Sequence, residues 1–168
     1  MSYLLEQLGD ERFQKLCQAL LVSIYPDVQC FPVGQPDGGR DAQVRKKGKQ
    51  GAESIIFQVK YSKDPLAKSS REIVEQVIGS EKDKVERLIE KGATSYHLMT
   101  NVAGTSHLDV GSIDRINLAL SEALDITVHC WWRDDIERRI DSLPAIKWSF
   151  PEILKATDLL GATCRVAK

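Results

Sequence analysis

Cysteine is sparse in this 168-residue chain, and Cys17, Cys30, Cys130 and Cys164 form no Cys-x-x-Cys pair. The three histidines, His97, His107 and His129, are equally scattered. Such spacing excludes a disulfide scaffold and argues for reduced thiols and no structural zinc. No apolar run reaches the length of a membrane span. Met1 to Asp10 contains Glu6 and Asp10 and lacks the basic leader and apolar stretch of a secretory signal. A cytoplasmic protein with no membrane partner is therefore expected. Charge of one sign is missing too: 23 Lys plus Arg stand against 24 Asp plus Glu, a formal net charge of -1. That total excludes a uniformly basic coat and, taken alone, points away from DNA. What remains, 42% hydrophobic and 28% charged residues with 11 Gly and 6 Pro, describes one ordinary globular domain. It is expected over residues 1–160, with 161–168 as a flexible tail or a linker to a further domain.

Periodicity supplies the elements. Phe13, Leu16, Cys17, Leu20, Leu21 and Ile24 repeat at the spacing of one helix face, predicting a helix from Asp10, as cap, to Ile24. Pro26 ends it. A strand over Val28 to Val33 is followed by Gln35-Pro36-Asp37-Gly38-Gly39, where paired glycines allow a tight turn. Arg40 to Arg45 resumes an extended pattern, and Lys46 to Gly51 reads as a basic turn. In Glu53 to Tyr61 strict alternation sends Ile55, Phe57, Val59 and Tyr61 to one face, with Gln58 and Lys60 together on the other.

Ser69 and Ser70 offer caps for a long helix that Gly79 weakens or breaks and Gly92 closes. Tyr96 to Thr100 reads as a strand, Ser112 to Leu124 as a helix and Ile126 to Trp132 as another strand. A short helix carrying Ile136 and Ile140 follows, stopped by Pro144, and Pro151 to Leu160 reads as a last amphipathic turn or helix. Three consecutive antiparallel strands and then alternating helix and strand predict an α/β fold, an α+β sandwich with a mixed central sheet flanked by helices. Cys17 lies on an apolar helix stripe and Cys30 and Cys130 in strand-like runs, and all three are read as small buried hydrophobes; Trp131 and Trp132 are read as packing residues.

Polar residues interrupt this scheme at one place. Asp41 follows the glycine turn, and a hairpin brings it to Gln58 and Lys60 on the next strand. A carboxylate, an amide oxygen and an ammonium there suit a hard divalent cation and a lysine that orients or deprotonates an attacking water. Hydrolysis of an anionic phosphodiester needs that combination. From Arg40 to Lys63 seven basic residues, Arg40, Arg45, Lys46, Lys47, Lys49, Lys60 and Lys63, stand against Asp41 and Glu53. The segment carries +5 within a chain of -1, leaving -6 for the rest. Arg40, Arg45, Lys46, Lys47, Lys49 and Lys63 are the expected DNA-binding residues.

Phe13-Gln14-Lys15-Leu16, Pro36-Asp37-Gly38-Gly39-Arg40-Asp41 and Phe57-Gln58-Val59-Lys60 together resemble the PD-(D/E)XK nuclease superfamily, in its Mrr-like restriction endonuclease branch. The resemblance implies a restriction-endonuclease-like αβββαβ core over most of the chain. It also implies Asp41 and Gln58 as ligands of Mg²⁺, with Mn²⁺ as a substitute, and Lys60 as the residue that assists the water. Where Mrr-like proteins often carry Glu after the helix Phe, this chain has Gln14. Glu11, one turn earlier on the same helix edge, is the alternative metal ligand, and the macrodipole favours an acid there in any case.

The C-terminal pattern Trp131-Trp132-Arg133-Asp134-Asp135-Ile136 to Leu143-Pro144 is similar to Mrr-like domains fused to STAND-type NTPases in bacterial anti-phage defence. It implies an effector that cuts double-stranded DNA with little sequence preference. Such an effector acts as a homo-oligomer, with an NTPase or sensor domain C-terminal to this chain. Two other readings stay open: a catalytically inactive member of the same fold for DNA binding or assembly, and a phosphate-sensing α/β domain. The last requires the Gly38-Gly39 loop to open directly into a helix.

Overall fold

Alternation in the central strand organises the molecule, seen here as a computed structural model that describes residues 3–35, 38–48, 51–104 and 113–156. The five-stranded sheet runs in chain order: β1 (Gln29–Cys30), β2 (Ala42–Gly48), β3 (Gly51–Lys60), β4 (Ser95–Thr100) and β5 (Thr127–Trp131). β1, β2 and β3 pair antiparallel, whereas β3, β4 and β5 pair parallel. The helices α1 (Gly9–Ile24), α2 (Ser70–Glu90), α3 (Ile113–Leu124), α4 (Arg133–Ser142) and α5 (Pro144–Ser149) fall into two layers. Phe57 and Val59 of β3 join α1, α4 and α5 in one core, while Ile56 joins α2 and α3 in the other. The expected α/β class with a mixed sheet between helices is the observed one.

Local chemistry explains the boundaries. Ser69 caps α2 in a capping box with Glu72, a device worth about 1 kcal/mol. α2 then runs unbroken through Gly79, because a glycine costs only about 1 kcal/mol in a helix and the Val74, Val77, Val85 and Leu88 side is buried. α1 keeps Phe13, Leu16, Cys17, Leu20 and Leu21 inward, but Ile24, at its last turn, is exposed. Asp10 sits inside the first turn of α1 rather than at its cap, which is Leu8.

The strand expected over Val28 to Val33 contracts to two residues, since only Gln29 and Cys30 find partners on β2. Conversely, the expected turn over Lys46 to Gly51 is mostly strand. β2 and β3 pair down to Gly48↔Gly51, so Lys46 and Lys47 are ladder residues. Pro144 does not simply stop a helix: it opens α5 in its first turn, where the missing N–H costs nothing. Trp131 and Trp132 are both buried, one in each core. Cys17 and Cys130 are buried and Cys30 half-buried, all three free. Ser112, Cys164 and the expected tail over 161–168 lie outside the described residues.

Candidate functional site

Asp41 stands between a turn and a strand, and every side of it is held. Gly38 and Gly39 before it have φ of +72° and +88°, left-handed values that only glycine takes without strain. Behind it, Asp41 N donates to Phe57 O at 2.8 Å, and Asp41 O accepts from Phe31 N at 2.9 Å. Gln18 of α1 donates its Nε2 to both Asp41 O at 3.1 Å and Phe31 O at 2.8 Å, tying the helix to the strand end. The carboxylate itself is buried, and Oδ2 accepts from Val59 N at 2.7 Å and from Gln58 Nε2 at 2.9 Å. Burial pushes the neighbouring Cys17 thiol well up, and the Asp41 charge adds to that rise.

Register does the rest. Ala42 pairs with Phe57, so Asp41 and Gln58 meet side by side, and period two brings Lys60 to the same face. Gln58 Oε1 is buried with no hydrogen-bond partner. An orphaned buried acceptor costs about 1–3 kcal/mol, so this oxygen calls for a donor or a cation. Asp41, Gln58 and Lys60 line one cleft of about 600 Å³ with Glu11, Gln14 and Lys63. Both alternatives for the helix ligand, Glu11 and Gln14, thus face the same space. Among the described residues, no three His, Cys, Asp or Glu side chains gather as a metal cage. The oxygen set at the centre is one carboxylate and one amide.

Lys60 has a partner that sequence reasoning missed. Its Nζ lies 2.5 Å from Oε1 of Glu81, a residue of α2 that is 1% exposed. Lys84 completes the cluster, 3.0 Å from Glu81 Oε2, though outside hydrogen-bond geometry to that oxygen. Burial acts to raise the Glu81 carboxyl, but hydrogen bonds from Lys60 and Lys84 outweigh it and hold the group below its ordinary range. A signal for Glu81 existed: it falls on the stripe Val74, Val77, Glu81, Val85, Leu88, an acid at an apolar position of a long helix. Gln76, on the same helix, is exposed and accepts from Lys68.

The basic residues expected to hold DNA do not form one patch around Asp41. Lys63 lines the site cleft. Arg40 turns the other way, donating to Gln43 Oε1 and covering the Phe31 ring. Arg45 and Lys46 occupy successive ladder positions on opposite faces of β2, and Lys46 lies over the Tyr25 ring. At about 3.3 Å per residue they are roughly 13 and 16 Å from Asp41 along the strand. Lys47 is in β2 with them, and Lys49 lies outside the described residues. Antiparallel pairing is the reason: it puts the tip of the hairpin at the end opposite Asp41 and Lys60. The Gly38-Gly39 turn leads into β2 and not into a helix, which removes the basis of the phosphate-sensing reading. Among the described residues no helix is long and apolar enough to cross a membrane. Comparison with known proteins found no matching family model, no matching curated protein and no matching solved structure.

Proposed function

We propose that this chain is a metal-dependent endonuclease that hydrolyses phosphodiester bonds of DNA, with Asp41, Gln58 and Lys60 as its reacting centre. The observation that carries the reading is the meeting of these three side chains in one cleft, with Gln58 Oε1 buried and unsatisfied. The donor set fits a hard cation: Asp41 and Gln58 are the residues that would hold Mg²⁺ or Mn²⁺. When bound, the cation supplies positive charge against the negative charge that builds on the phosphoryl oxygens during displacement.

The remaining chemistry belongs to the chain. Asp41 is fixed by Val59 N and Gln58 Nε2, so its carboxylate needs little reorganisation during reaction. Lys60 directs an ammonium into the cleft from the end of β3. One N–H is taken by Glu81, which sets the direction of the others toward an attacking water or a phosphate oxygen. Gln18 holds the Asp41 backbone against the side of α1. The fold supports a restriction-endonuclease-like core through its element order, α1-β1-β2-β3-α2-β4.

A specific observation favours the second reading, a catalytically inactive module of the same fold for DNA binding or assembly. Gln14 and Gln58 are neutral, and no three-acid cage exists among the described residues. Incubation with supercoiled plasmid and Mg²⁺ or Mn²⁺ decides between them. The nuclease reading expects nicking by the wild type that Asp41→Ala and Lys60→Ala abolish. No nicking at any protein concentration, or equal nicking by both variants, overturns it.

A further inference from the structure

A second groove, of about 360 Å³, lies on the α2 side of the glycine turn. Arg40 and the Gly38-Gly39 backbone form one wall, Lys84, Arg87 and Lys91 form the other, and Leu88 lies between them. Among the described residues, four cations and no acid line it. We infer that this groove holds the phosphate backbone of the nucleic acid, an assignment that rests on the nuclease reading of the neighbouring cleft.

Spacing fits that occupant. Lys84, Arg87 and Lys91 follow at i, i+3 and i+7, so they lie along one side of α2 over about 10 Å. One strand of duplex DNA presents about three phosphates over that axial length. The wall facing them is bare backbone for a reason: a Cβ on Gly39 would stand 2.9 Å from both Cβ and Cδ of Lys84. Arg87 and Lys91 also offset the partial negative charge at the carboxyl end of α2.

Continuity with the cleft comes through one carboxylate. Glu81 contacts Lys60 on the cleft side and Lys84 on the groove side, and Arg40 in the groove wall directly precedes Asp41. A backbone lying in the groove is thereby led toward the reacting centre. The hairpin cations Arg45 and Lys46 have no such connection and diverge to opposite faces. Net charge does not oppose the assignment, because at physiological salt fields are screened beyond about 8 Å, and the phosphates meet Arg87 and Lys91 beside a Lys84 that is already paired with Glu81.

The test is fluorescence anisotropy of a short labelled duplex, titrated over a salt series in EDTA so that nothing is cut. Arg87→Gln/Lys91→Gln is expected to weaken binding about tenfold at about 0.1 M salt and to flatten the log-log salt slope by about 1.8, two phosphates' worth. Arg45→Gln/Lys46→Gln is expected to change affinity by less than about twofold, both being remote from the groove. Arg87 and Lys91 are exposed, so melting temperatures should fall by only a few degrees, the loss of two charges each worth about 0.3–1 kcal/mol at the end of α2. The assignment is overturned if the groove variant keeps the wild-type affinity and slope. It is equally overturned if the hairpin variant carries the loss or the wild type binds no duplex at low salt. Plasmid nicking with Asp41→Ala as control separates the two ideas. Nicking with unchanged binding by the groove variant leaves the nuclease and removes the groove; lost binding without nicking by the wild type does the reverse.

Discussion

Lys60 Nζ and Glu81 Oε1, 2.5 Å apart, join the end of β3 to the middle of α2 through a carboxylate shut away from water. The carboxylate is ionised at neutral pH because Lys60 and Lys84 hold it below its ordinary range against the effect of burial. Removing one partner from a buried pair leaves a charge that neither water nor protein satisfies. Lys60→Met is therefore expected to cost about 2 kcal/mol, less than a fully buried pair because Lys84 remains. Lys60→Met/Glu81→Met should regain part of that, giving a coupling of about 1–3 kcal/mol in a urea double-mutant cycle. Both variants should be inactive on plasmid. Additive free energies would show that the ion pair contributes nothing.

Asp41→Asn isolates charge from shape. The amide oxygen can still accept from Val59 N, so the fold should lose only about 1–2 kcal/mol, the difference between a charge-assisted and a neutral hydrogen bond. Cation binding is another matter, since Asn leaves two neutral oxygens in place of one anionic and one neutral. At a hundredfold excess over its dissociation constant, a cation that binds only the folded chain adds about 2.7 kcal/mol. Thermal melts with and without Mn²⁺ should show a rise for the wild type and none for Asp41→Asn. An equal rise in both would put the cation somewhere other than this cleft.

Much of this centre was legible because hairpins and strands obey short-period rules. Alternation along β3 put Gln58 and Lys60 on one face, and pairing of successive strands brought Asp41 to them. The inward face of α1 followed from its spacing up to Ile24, where the stripe outlasts the core. Glu81 was hard to see for a different reason. α2 also carries Glu72, Glu75, Asp83, Glu86 and Glu90, and only its place on the apolar stripe separates Glu81 in the sequence from those solvated acids. The basic groove is less legible still, since its walls come from a turn and a helix that meet only in three dimensions. Local charge counting drew attention to Lys46 and Lys47 instead, which strand pairing carries away from Asp41.

Gly38 and Gly39 differ in what an added methyl group would meet, and that difference is measurable. Both have positive φ, but a Cβ on Gly38 finds nothing within 4 Å, whereas one on Gly39 meets Lys84 at 2.9 Å. Gly38→Ala should cost about 1 kcal/mol, the backbone strain alone. Gly39→Ala adds the displacement of Lys84, and with it the far side of the Glu81 cluster, for a total of about 2–3 kcal/mol. Chemical denaturation of the two variants checks the order. Equal losses would mean that Lys84 moves aside freely and that the close approach carries no cost.

His97 gives the fold an acid-sensitive point away from the cleft. Its ring packs on Phe57 and His129, and Nδ1 is buried without a hydrogen-bond partner. Burial first, then the nearby His129 and Arg139, lowers its pKa from 6.5 to about 4. The unfolded chain therefore takes up a proton as pH falls through 6.5, while the folded chain stays neutral at this ring until pH 4. Stability rises with pH wherever the unfolded state holds more protons, so this residue's contribution is intact at pH 7 and is lost on acidification across that window. The loss should approach about 2–3 kcal/mol by pH 4.5. Urea midpoints measured from pH 7 to pH 4.5 should fall more steeply for the wild type than for His97→Phe, which keeps an aromatic ring against Phe57 and has nothing to titrate. Parallel curves would mean that His97 is protonated in the folded chain as readily as in the unfolded one, and that burial of its ring carries no penalty.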